Sequence, residues 1–176
     1  ARAATCQNGS AAGYPCNNVD LLSMFDTSEL SEYLPATNTQ DVNDIWGWTD
    51  SSSGREFAIV GTYAGHAFVE ITNPTNPVLV GGLGSANNKH SIWHDVKTYQ
   101  NYAYMVSEGS THGLQIFDLT RLLTASVGTT FSEDANDSSF GSAHNLFINE
   151  DTGFAYIVGS NKCSGGLRVY DLSDPL

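Results

Sequence analysis

The sequence predicts an all-β protein of the β-propeller class, built from blades of about 50 residues with three to four antiparallel strands each. Two observations predict it. Similar segments return at intervals of 45 to 53 residues along the chain. Within each interval, short runs rich in aromatic and β-branched residues alternate with turn formers, and helical periodicity is nearly absent.

The repeat is clearest at its third strand. Gly65-His66-Ala67-Phe68-Val69-Glu70-Ile71-Thr72 aligns with Gly113-Leu114-Gln115-Ile116-Phe117-Asp118-Leu119-Thr120 and with Gly166-Leu167-Arg168-Val169-Tyr170-Asp171-Leu172-Ser173. Each is a glycine, an alternating strand, an acidic residue, one more apolar residue and a hydroxyl turn residue. The second strand recurs at Phe57–Val60, Tyr102–Val106 and Phe154–Val158, and the first at Asn43–Trp46, His94–Lys97 and His144–Phe147. Turn signals separate them at Asp50–Gly54, Gln100-Asn101 and Asn149–Gly153. A fourth strand is expected at Pro77–Leu83 in the first unit and at Gly128–Phe131 in the second, and Leu119–Leu123 has the composition of a turn or two of helix.

This divides the chain into a disulfide-bearing N-terminal segment, 1–39, and blades at about 40–90, 91–142 and 143–176, the last incomplete. Val19–Phe25 reads as a strand that clasps another blade. Three units are too few to close a ring of four to eight blades, so the chain is expected to be an incomplete piece of the full ring, or to take further blades from a second chain. A β-sandwich is the competing architecture, but it would not produce so regular a repeat.

Nineteen acidic residues against seven basic give a net charge of −12. Phosphate recognition needs Lys/Arg clusters, so this balance argues against DNA and RNA as partners, and equally against an anionic membrane surface. No apolar run approaches the ~20 residues of a membrane span. Cys6 and Cys16 lie ten residues apart in a Gly/Asn/Ser-rich stretch that lacks the further ligands of a zinc site. They read as a local disulfide, hence an oxidising, secreted or cell-surface compartment. Cys163 is left over, unpaired or pairing outside these residues. Asn8-Gly9-Ser10 and Asn136-Asp137-Ser138 fit the short N-glycosylation pattern.

The candidate binding residues sit at the starts of the three first strands: Asn43 and Asp44, His94 and Asp95, His144 and Asn145. In a propeller these starts ring one mouth of the central channel, where such side chains either hold a small polar ligand or metal, or cap neighbouring backbone. His66 and His112 adjoin strand-opening glycines and read as turn or surface residues. Asp134, Asn136 and Ser138 place oxygens at alternate positions, loosely like a calcium loop, and make Ca²⁺ a candidate cofactor. No nucleophile elbow, phosphate loop or metalloprotease helix is present. Glu70, Asp118 and Asp171 recur at one structural position, which points to a stabilising role, so no catalytic residue is assigned.

Several longer strings resemble the choice-of-anchor B family. They are Gly13-Tyr14-Pro15-Cys16-Asn17-Asn18-Val19-Asp20-Leu21-Leu22-Ser23, Asn43-Asp44-Ile45-Trp46-Gly47-Trp48-Thr49-Asp50, Gly54–Ala58, His112–Leu119, Ala143-His144-Asn145, Gly153–Tyr156 and Gly159–Leu167. The resemblance spans nearly the whole chain. It implies LVIVD-type propeller repeats, a secreted or cell-surface setting, further blades with a C-terminal anchor beyond residue 176, and a later cysteine to pair with Cys163. At His94 the family pattern implies a basic residue, often arginine.

Together these features describe a secreted or cell-surface, non-catalytic binding or structural module, whose partners are a surface protein, a glycan or further copies of itself. The alternatives are an extracellular hydrolase acting at the channel mouth, which requires perturbed protonation around Asp44, His94, Asp95 and His144, and a Ca²⁺-dependent adhesin.

Overall fold

The computed structural model describes residues 3–35 and 41–176. The boundary expected near residue 39 lies outside them. The N-terminal segment opens with a small hairpin, β1 (Ser10–Ala11) and β2 (Tyr14–Pro15), stapled by the Cys6–Cys16 disulfide. The clasp strand expected at Val19–Phe25 does not form. That stretch makes a single bridge, Leu21 to Ala4, its Val19 and Leu22 are exposed, and only its last residue, Phe25, reaches the first sheet. A one-turn helix follows, α1 (Thr27–Leu30), whose Asp26 and Glu29 form a reciprocal capping box. Its Leu30, with Phe25 and Tyr33, covers Ala58, Ala67, Val69 and Leu79 on one face of the first sheet.

Three antiparallel meanders come next. The first is β3 (Val42–Thr49), β4 (Glu56–Thr62), β5 (Gly65–Glu70) and β6 (Val78–Gly84). The second begins with β7 (His94–Tyr99), β8 (Tyr102–Ser107) and β9 (Leu114–Asp118). A 3₁₀ turn at Leu119–Leu123 follows, as its composition predicts, and then two short strands, β10 (Thr129–Phe131) and β11 (Ala135–Asp137). The third meander is β12 (Asn145–Asn149), β13 (Phe154–Val158) and β14 (Arg168–Asp171).

The 129–131 strand corrects the expected assignment. It joins the first sheet, running parallel to β6, while β11 supplies the fourth strand of the second. Packing decides this: Phe131 enters the layer between the two sheets, where it meets Phe68 and Phe117 at 5.6 and 5.1 Å between ring centroids. At the start of β9, Gly113 has φ of +74° and faces the Asp137 carbonyl so closely that a Cβ would overlap it, which explains the glycine that opens the repeat.

Strand alternation builds the two layers of core. Along β8, Ala103 and Met105 point towards the first sheet and join Phe57, Ile59, Phe68, Leu83, Val96 and Phe117, while Tyr104 and Val106 point towards the third and join Leu114, Phe140, Leu146, Ile157 and Leu172. Each fully buried large apolar side chain is worth roughly 1.5–3 kcal/mol. Trp48 Nε1 donates to the Gln100 carbonyl at 3.1 Å, a polar tie across the first layer.

The fold is therefore all-β, four small sheets counting the hairpin. The first strands of the three meanders lie side by side, β3 against β7 and β7 against β12. The described residues form no closed ring. The first sheet leaves Ile45 and Trp46 exposed, and the third leaves Phe147, Val158 and Val169 exposed.

Candidate functional site

The starts of the three adjacent first strands enclose a pocket of about 220 Å³. Its lining is Asn43 and Asp44 from β3, His94 and Asp95 from β7, His144 just ahead of β12, Asn145 at its start, and Trp93. All six residues named from the sequence meet there. Trp93, 48% exposed at the rim, is the addition.

Each first strand is tied to the next by a side chain. Asp44 sits at a β-bulge between Val42 and Ile45 with φ of +56°, which turns its carboxylate across the seam. Its Oδ2 accepts the Val96 N–H at 2.8 Å, and Asn43 Oδ1 accepts the His94 N–H at 3.2 Å. One repeat later, Asp95 Oδ2 accepts the Leu146 N–H at 2.6 Å and the Asn145 amide at 3.2 Å. Lys97 closes the arrangement: its Nζ bonds Asp95 Oδ1, lies 3.5 Å from Asp44 Oδ2 and rests 4.6 Å above the Trp46 ring. At the rim, His144 Nδ1 lies 2.5 Å from Glu108 Oε1.

The two carboxylates are driven apart in acidity. Burial raises Asp44 above the ordinary carboxylate value, and its contact with Asp95 raises it further. Burial alone would raise Asp95 too, but bonds from Asp44, Lys97 and the Leu146 N–H outweigh it and hold Asp95 low. Burial pushes the His94 imidazole down to about 3, with His112 adding to the shift.

His66 and His112 are not turn or surface residues. Both are fully buried, because the chain beside their glycines runs inwards between the first and second sheets, where His94 packs against both rings. Two of the three calcium candidates, Asp134 and Asn136, are committed to protein partners. Asp134 pairs with Arg121 and accepts the Asp118 N–H, Asn136 lies on β11 with its amide on the His112 carbonyl, and Ser138 directly follows that strand. The bonded, half-buried Asn136 is also a poor glycan acceptor. Among the described residues no three His, Cys, Asp or Glu side chains are grouped to hold a metal ion. Cys163 is exposed and unpaired among them.

Lys97, Trp93 and Glu108 were not singled out in the sequence. For Lys97 the signal was present, since period-two alternation puts it on the face of Asp95. For Glu108 none was, because its approach to His144 spans 36 residues.

No family model, curated protein or solved structure matches the chain. Among the described residues no helix is long and apolar enough to cross a membrane.

Proposed function

We propose that the chain is part of a secreted or cell-surface β-propeller of the choice-of-anchor B type, and that it binds a small polar ligand such as a glycan unit without transforming it. One observation carries this reading: two polar residues from each of three repeats line one pocket beside the exposed Trp93. An aromatic face flanked by amide and carboxylate groups suits a polyhydroxylated ligand, which offers both apolar C–H faces and hydrogen-bonding edges. The propeller reading is supported by the regular repeat, by the adjacent first strands and by apolar faces on the outermost sheets, which further blades of the same kind would cover. The Cys6–Cys16 disulfide supports an oxidising compartment.

Calorimetric titration against a panel of neutral and charged mono- and oligosaccharides tests the binding. Trp93→Ala should weaken it at least tenfold without lowering the melting temperature. Binding that survives this substitution unchanged would reject the pocket.

The hydrolase alternative draws on the Asp44–Asp95 pair, since two carboxylates with opposed shifts are what acid–base chemistry uses. Turnover of glycoside or ester substrates abolished by Asp44→Asn would establish it in place of pure binding.

A further inference from the structure

Behind the pocket, three imidazoles are buried together. His66 on β5 and His112 ahead of β9 have no exposure, and His94 on β7 has 3%. The rings meet edge to face, with centroids 4.9 Å apart for His66 and His94 and 5.6 Å apart for His94 and His112. Among the described residues no side chain bonds either ring nitrogen of His66 or His94, or Nε2 of His112, while His112 Nδ1 lies 3.0 Å from the Gly113 carbonyl. A neutral imidazole always carries one N–H, so His66 buries an unpaired donor, while at His94 the backbone of Ser91 is the one polar group acting on the ring from outside the cluster's own imidazoles and His90.

Among the described residues no counter-charge faces them. The titratable groups acting on the rings are the rings themselves and His90, whose own ring lies against Tyr63. Nearby carboxylates are engaged elsewhere: Asp95 with Lys97 and Leu146, Glu108 with His144, Asp44 with Val96, and Glu133 with Asn136. Lys89, on the connecting segment, is exposed. On the β4 side the approach is Gly61, which brings backbone and no charge.

We propose that this cluster makes the seam between the first and second sheets an acid-operated latch, closed while the three rings are neutral and opened when they take up protons. Two imidazolium rings ~5 Å apart repel strongly in a dry site, and each lacks the hydration or carboxylate that would stabilise it. Proton uptake therefore requires the seam to part and admit water. Because His94 also lines the pocket, an open seam dismantles the ligand site.

The direction of the effect follows from burial, which lowers the affinity of all three rings for protons. Below about pH 6.5 the open chain binds more protons than the closed one, so stability is complete above that pH and is lost as the pH falls.

Unfolding measured in urea between pH 7.5 and 5.0, on the whole chain without any ligand, tests the latch. Each ring should raise the unfolding constant up to about tenfold for every pH unit below about 6, so three rings give up to about a thousandfold. His66→Phe or His112→Phe, which keeps an aromatic ring and removes the proton site, should reduce that dependence by one factor of ten per unit. An unfolding constant that does not change over this range, or an identical dependence in wild type and variants, overturns the proposal. Should the variants not fold, ring resonances of the wild-type histidines decide. All three must stay neutral in the folded chain down to pH 5, and any of them titrating near 6.5 without loss of structure rejects the latch.

Discussion

The Asp95 carboxylate accepts the backbone N–H of Leu146 at 2.6 Å, joining the first strand of the second sheet to that of the third. The same relation links Asp44 to Val96 at 2.8 Å between the first and second sheets. An aspartate at the head of the first strand in each of the first two sheets thus fixes the register of the next first strand, and both carboxylates line the pocket wall.

Asp95→Ala should therefore cost about 3 kcal/mol of stability. It strands the buried Leu146 N–H and removes the main partner of Lys97. A urea denaturation midpoint measures this, and a loss below about 1 kcal/mol would show that the sheets hold their register without the carboxylate.

Gly61→Ala tests the seam from the other side. A Cβ there would overlap the Asn43 carbonyl oxygen and press on His94 Cβ at 3.2 Å. One obstacle is backbone and the other the stem of a buried ring, so neither yields cheaply, and a loss of about 1–3 kcal/mol is expected. Thermal melting of the variant against wild type is the measurement. An unchanged melting temperature would mean that Asn43 and His94 lie further from β4 than these distances.

Much of this was legible in the sequence, for identifiable reasons. The three meanders follow from period-two alternation and turn residues, which act locally: Asp50–Gly54, Gln100-Asn101 and Asn149–Gly153 all close hairpins. The pocket's six polar residues could be named because a repeat puts equivalent positions at equivalent places. What failed depended on non-local packing. Thr129–Phe131 carries a strand signal in itself, but its pairing with β6 is decided by Phe68, which lies far away in sequence in the first unit. His66 and His112 look like turn residues beside their glycines, and nothing within a short window shows that two sheets close over them.

Reducing the Cys6–Cys16 disulfide should loosen the N-terminal segment and leave the sheets intact. The bridge closes a short loop over mostly exposed residues, and the closure is worth about 2–3 kcal/mol to that segment. The side chains that join the segment to the first sheet, Phe25, Leu30 and Tyr33, lie well beyond the loop. Hydrogen exchange with and without dithiothreitol should show protection lost around Ser10, Cys16 and Leu21 but kept across β4, β5 and β8. Loss of protection in those central strands would make the disulfide a global support.

The Asp44–Asp95 pair should titrate in two separate steps, which carboxyl-carbon resonances can follow. Asp95, held below its ordinary value, favours the folded state above that value and ceases to do so as the pH falls. Asp44 works in the opposite direction: burial and Asp95 raise it, so the folded chain takes that proton before the unfolded chain does, and its contribution favours folding as the pH falls. Asp95→Asn removes one of the two causes and leaves burial, so the Asp44 resonance should move to a lower titration midpoint. If that midpoint stays where it was, burial alone sets the acidity of Asp44, and the two carboxylates act independently at the pocket wall.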